Sequence, residues 1–349
     1  MYVILCLQIF KGDAMKKFLL FLFTALSFCL MTGCGERKMS DEEIQRKIDA
    51  LYEKVVEAEK NNDSAMIMRY LLEALKLREQ LALSNPYRET IYFVANQRMG
   101  ITKYLLREYA ETVTFLEKAL SADVEERESI LNHKLDIYIM LMLSYDKIGN
   151  IKKRDNYLQL AEQRVRTLEE EIGDSNAEDF ILERLAAYYE AKGKILLNEK
   201  RYKCALVSFL KAQDNYLKQK NIYFPFLAVS YYYSALIYSA LNNTEFALKM
   251  SKMAADISLE ERNFFSSAYK MLMKYYMEQH DYLSGLKYSK KFLVIFHQNT
   301  SQKVLFYTYM ADFAQKLGRI GEMWQYAGMA KYYQSMPSLQ DTDDIYLFP

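Results

Sequence analysis

The sequence predicts an all-helical chain made of repeated helix pairs, and three observations carry that prediction. The 349 residues include only 11 Gly and 4 Pro, where average usage gives roughly 24 and 17; sheets and long loops use more of both. The stretch YKCALVSFLKA sets Tyr202, Ala205, Phe209 and Ala212 at steps of three, four and three, one stripe of one helix. Large and small residues alternate on it, so a neighbouring helix can lie close. The same four-position stripe then recurs along most of the chain.

The N-terminus reads as an address and not as part of the fold. From Met15 the chain runs MKKFLLFLFTALSFCLMTGC: Lys16 and Lys17, an uncharged stretch from Phe18 to Met31, then Thr32, Gly33 and Cys34. This is the three-part layout of a secretory signal, with Met15 a better start than Met1. Gly35 to Ser40 follows as a short tether. Ser40 with Glu43 three residues later, and acids in the first turn, predicts a helix start.

The stripe recurs as Ser64, Ile67, Leu71, Ala74; Tyr109, Thr112, Leu116, Ala119; Ile151, Arg154, Leu158, Ala161; the Tyr202 copy; Thr244, Ala247, Ser251, Ala254; Tyr282, Gly285, Ser289, Phe292; and Ile320, Met323, Ala327, Ala330. Turn residues precede several copies, among them Asn61-Asn62-Asp63, Gly149-Asn150 and Gly318. Gly100, Tyr189 and Gly193 fall on the preceding helices. Arg154 stands where the other copies carry a smaller residue. The widest interval, from the third copy to the fourth, contains the acidic run Glu169 to Asp179. That run is the expected joint between an N-terminal half, 41–168, and a C-terminal half, 180–335.

Residues from Asn221 to Thr244 carry no charge, a length that could span a bilayer. Tyr231, Tyr232, Tyr233 and Tyr238, with several Ser, sit at depths that lipid would penalise. The stretch is therefore expected to be the buried first helix of the fifth pair.

Large and small residues at these spacings across two helices resemble the tetratricopeptide repeat (TPR), over about residues 45–335. The intervals are longer than that family's usual repeat of about 34 residues, and its Pro at repeat ends is missing. The resemblance implies an α-solenoid of about seven helix-turn-helix, TPR-like repeats; the alternative is an irregular helical bundle. In such a solenoid the first helices line a concave face. Carried over copy by copy, the groove positions are Gln97 and Tyr104; Asp136 and Asp146; Glu190, Lys194 and Asn198; Tyr232; and Lys270, Lys274 and Glu278. Polar groups with scattered aromatics suit an extended peptide or a partner helix.

The end of the signal resembles a bacterial lipobox. That implies cleavage before Cys34 and its diacylation, with an ordinary transmembrane anchor or a signal cleaved elsewhere as alternatives. Gly35 after the cysteine, by analogy with enteric lipoproteins, points to the outer membrane, and the lack of the acidic cluster carried by surface-exported lipoproteins, with only Glu36 before Arg37 and Lys38, to its periplasmic face.

Chemistry is hard to find. His133, His280 and His297 lie far apart, and Cys204 is the body's one cysteine, so no Cys and His zinc site and no disulfide framework is expected. Cys204 reads as a small residue at a helix interface. No GxSxG, P-loop or HExxH pattern occurs. A net charge of +1 gives no pull toward nucleic acid. No enzyme, metal or cofactor is expected. The segment 338–349, acidic and then IYLFP, reads as a loose tail or as an apolar plug on the last helix pair. The expected function is a lipid-anchored envelope scaffold that holds a protein or peptide in its groove. The alternative is a sensory module that passes a ligand signal to a separate signalling protein.

Overall fold

The computed structural model describes residues 39–125, 128–172, 179–221, 224–262, 265–296 and 299–336. The signal region 1–33, Cys34, most of the expected joint (173–178), His297 and the tail 337–349 lie outside the described residues.

Those residues form fourteen α-helices and no strand. They are α1 (Asp41–Lys60), α2 (Ser64–Arg78), α3 (Tyr87–Leu105), α4 (Tyr109–Leu120), α5 (Glu128–Ile148), α6 (Ile151–Ile172), α7 (Asp179–Asn198), α8 (Tyr202–Lys218), α9 (Phe224–Ala240), α10 (Thr244–Glu260), α11 (Ser266–Glu278), α12 (Tyr282–Ile295), α13 (Thr300–Lys316) and α14 (Ile320–Gln334). Each second helix of a pair begins on the residue that heads one of the seven stripes. Ser40 and Glu43 form the expected capping box on α1.

One turn joins the helices of every pair. Two residues before each second helix the backbone is left-handed: Asn62, Arg107, Gly149, Lys200, Asn242, His280 and Gly318, with φ from +53° to +83°. The next residue donates its N–H to a carbonyl five residues back, as in Asp63 to Ala58 (2.9 Å), Arg201 to Leu196 (2.9 Å) and Arg319 to Ala314 (2.9 Å). With the shorter bond from the left-handed residue itself, such as Lys200 to Leu197 at 2.9 Å, this is a Schellman motif. It satisfies the last carbonyls of the first helix and reverses the chain in three residues. Asp63, Asn243 and Asp281 then cap the second helix with their side chains.

Within a pair, glycine lets the helices touch. A Cβ on Gly193 would lie 2.8 Å from the Phe209 ring, and one on Gly100 would lie 2.4 Å from Leu116. Both neighbours are stripe residues with no exposed surface, so neither can move aside.

The chain divides into two compact units after Ala95, within α3. In the first, α1 and α2 pack around Ile44, Ile48, Leu51, Ala74, Leu81 and Ile91. Arg78 and Arg88 tie its far end, donating to each other's carbonyls and pairing with Glu79 and Glu89 at 2.7 Å. In the second unit each helix from α4 onward packs on the next, and the first helices also meet one another, α5 on α7, α7 on α9 and α9 on α11. The largest core cluster runs from the third pair to the first helix of the sixth, from Leu135 to Ala268.

Among the described residues no helix is long and apolar enough to cross a membrane. The uncharged stretch is α9, which buries Leu227, Ala228, Val229, Tyr231, Ala235 and Ile237 between its neighbours. Cys204 corrects an expectation: it is exposed, because the buried stripe of α8 begins at Ala205 and Cys204 lies one residue, about 100°, away from it.

Candidate functional site

The first helices of the second unit share one face, and it carries most of the polar positions read from the sequence. Three groupings result.

The central grouping is built on Glu190 and Lys194, one turn apart on α7. Glu190 has no exposed surface, and its carboxylate lies 2.6 Å from the Lys194 ammonium. Tyr216 of α8 donates to the other carboxylate oxygen at 3.2 Å. Lys194 in turn lies 5.3 Å from the centre of the Tyr233 ring on α9, within cation–π range. Burial works against the ammonium, but Glu190 together with Tyr233 and Tyr104 more than offsets it, so the Lys194 pKa lies above the usual lysine value. Tyr104, at the end of α3, is close enough to feel Lys194, Glu190 and Tyr233, and burial pushes its hydroxyl up to about 12. Burial likewise raises Tyr233. Lys194 keeps 17% of its side chain exposed. The grouping is thus a held cation among neutral phenols, contributed by α3, α7, α8 and α9, helices of three pairs.

The second grouping joins α3, α5 and α7. Gln97 bonds His133 at 3.2 Å, and Asp136 accepts from Arg184 at 3.2 and 3.3 Å. Burial holds His133 below its ordinary value and raises Asp136 even with Arg184 beside it. The third sits at the turn end. Asn198 donates to Asp146 at 2.9 Å, and Arg154 pairs with Asp146, Asp155 and Glu199 at 3.2, 2.7 and 2.6 Å.

The remaining positions are separate. Tyr232 is half-buried, edge-on to Phe265 at 5.2 Å. Lys270, Lys274 and Glu278 form an exposed row on α11, with Lys274 and Glu278 3.6 Å apart. The structure changes the meaning of two positions. Glu190 and Gln97 (6% exposed) offer almost no surface to a partner; they hold Lys194 and His133 in place. Tyr233 and Arg184 were missed from sequence. Tyr233 lies one residue from the expected Tyr232, and Arg184 lies one turn before the Tyr188-Tyr189 pair on α7, where only its partner Asp136 could have signalled it.

Among the described residues no group of three or more His, Cys, Asp or Glu could hold a metal ion. A hollow of about 20 Å³ lies between Pro225, Val229, Ile257, Ser258 and Phe265, room for a single water.

No family model matches the chain, and no curated protein is similar to it. Solved structures are. The apo form of RapI superposes with a TM-score of 0.50 at 13% identity, over 83% of this chain and 97% of RapI. A signal transduction ATPase with a tetratricopeptide repeat sensor from Pyrococcus horikoshii gives 0.48 at 16% identity, over 89% of this chain and 49% of that one. PilF from Pseudomonas aeruginosa gives 0.47 at 14%, over 71% and 95%. At such identities the RapI match is a likeness of fold. With seven identical turns and glycine-mediated pair contacts, the chain is an α-solenoid of TPR-like helix pairs.

Proposed function

We propose that this protein is a lipid-anchored scaffold of the bacterial cell envelope that holds a protein or peptide partner on the first-helix face of its second unit. The observation that carries the reading is Lys194. A cation fixed by a buried carboxylate, partly exposed and surrounded by Tyr104 and Tyr233, is preorganised for contact with a backbone carbonyl or acidic group of a bound chain. The exposed row Lys270, Lys274 and Glu278 extends the same set of first helices with solvent-facing charged groups. Uncharged phenols between these points supply flat, amphipathic contact area at low entropic cost. The anchor rests on the signal layout and Cys34, the outer-membrane location on Gly35, and the periplasmic face on the single acid Glu36 ahead of Arg37 and Lys38.

The test is a crosslinked pull-down from the protein's own cells, beside Lys270→Glu/Lys274→Glu and Glu190→Gln/Lys194→Met variants. The paired change at 190 and 194 avoids stranding a buried charge. One envelope protein lost from the variants supports the scaffold. A signalling membrane protein in its place supports the sensory role. Equal recovery from all three rejects the face. Cys34→Ala is expected to abolish fatty-acid labelling and release the protein from the membrane; labelling that persists rejects the anchor.

A further inference from the structure

α14 is unlike the six second helices before it. In those, stripe residues are buried: Ala205, Phe209 and Ala212 of α8 have no exposed surface, and Phe292 of α12 has none. The cover comes from two sides, the pair's own first helix and the first helix of the next pair, as α8 packs on both α7 and α9. α14 packs on α13 but buries no residue at all. Its outer face, read at helical spacing, runs Ile320 (53% exposed), Trp324 (70%), Gly328, Lys331 and Tyr332 (55%). A Cβ on Gly321 or Gly328 would meet nothing within 4 Å. The face is therefore an apolar saddle, with two glycine gaps flanking a tryptophan and a lysine at one end.

We propose that the chain's own segment Ile345–Phe348 covers this face, with Asp341, Asp343 and Asp344 beside Lys331. Three features point to that occupant. The order matches: after α14 the sequence runs through acids first and then Ile345, Tyr346, Leu347 and Phe348. Read backwards, α14 presents Lys331 first and then Gly328, Trp324 and Gly321. The reach suffices. Trp324 lies about 16 Å back along the helix from Ser335, and nine or so extended residues span up to about 30 Å. The charges also complement one another, since Glu322 is the one acid in α14 and is already engaged by Lys290, Arg319 and Tyr326. A tethered segment also acts at a high effective concentration that a second molecule lacks.

Trp324 is the chain's single tryptophan, so its fluorescence reports this contact alone. The full chain is compared with an Ile345→Asp/Phe348→Asp variant and with a chain ending at Met336, each checked for unchanged helix content. Removal of the cover is expected to shift Trp324 emission to the red and to increase its quenching by acrylamide in both variants, at every protein concentration. Emission and quenching that are the same in all three proteins would overturn the proposal. A blue-shifted emission that is lost on dilution of the full chain would also overturn it, in favour of a second copy seated on α14.

Discussion

Arg154 Nη2 lies 2.6 Å from Glu199 Oε1, so the second helix of the third pair is fastened to the turn of the fourth. The same guanidinium reaches Asp146 of α5 and Asp155 of α6, and Arg154 is only 5% exposed. Its planar fork serves three carboxylates where the other copies of the stripe carry uncharged side chains. Arg154→Ala leaves Asp146, whose side chain is 11% exposed, with Asn198 as its remaining partner, and opens a gap. A loss of about 2 kcal/mol is expected, and Arg154→Lys restores less than half of it, because an ammonium cannot serve the same three directions. Urea unfolding of the three proteins measures it; an unchanged midpoint in Arg154→Ala would show that the carboxylates are adequately solvated without the arginine.

The seven Schellman turns make a second prediction. Lys200 holds φ +59° and Gly149 holds φ +83° at equivalent positions. A side chain in this region costs about 1 kcal/mol relative to glycine. Lys200→Gly is therefore expected to stabilise the protein by somewhat less than that, since glycine also loosens the unfolded chain. Gly149→Ala is expected to destabilise it by about 1 kcal/mol. Thermal unfolding midpoints moving in opposite directions confirm the pair; a lower midpoint for Lys200→Gly would contradict it.

The pairing of helices was legible because stripe, turn and close-contact glycine each carry a local signature. Phe209 and Gly193 announce each other across one turn. What stayed hidden depends on residues distant in sequence. Arg154 looked out of place because Glu199, which neutralises it, belongs to the next pair. Glu190 stands in a register that faces the groove, yet the approach of Tyr216 and Lys194 closes over it. The stripe of α14 has the right letters, but burial needs a following helix, and that is a property of the array and not of Ile320 or Met323. The expected division at 169–179 rests on composition alone, while the compact units divide after Ala95.

Glu190 and Lys194 should be strongly coupled. Lys194→Met leaves a carboxylate with no exposed surface supported only by the Tyr216 hydroxyl, and a loss of about 3 kcal/mol is expected. Glu190→Gln alone leaves the lysine free to shift toward water, so a smaller loss of about 1 kcal/mol is expected. The double variant Glu190→Gln/Lys194→Met is expected to be more stable than Lys194→Met, since no buried charge remains. A double-mutant cycle from urea unfolding reads the coupling directly; additive losses would mean that the carboxylate is reached by water.

Glu117 gives the pH dependence. Its Oε1 accepts from Tyr145 at 2.6 Å, Lys153 at 2.7 Å and Tyr157 at 3.1 Å, a single oxygen joining α4, α5 and α6. Burial pushes its pKa up, but the Lys153 ammonium and the phenols draw it down further, so it lies below the ordinary 4.5. A depressed carboxyl binds fewer protons folded than unfolded. Its stabilisation is fully present above the unfolded value and is lost as pH falls through the folded one. Glu117→Gln removes that contribution. The stability difference between wild type and variant is expected to hold steady from about pH 7 to pH 5 and to close below about pH 4.5. A difference that stays constant down to about pH 3 would assign the effect to packing of the amide among Tyr145, Tyr157 and Lys153, with no part played by the carboxylate's charge.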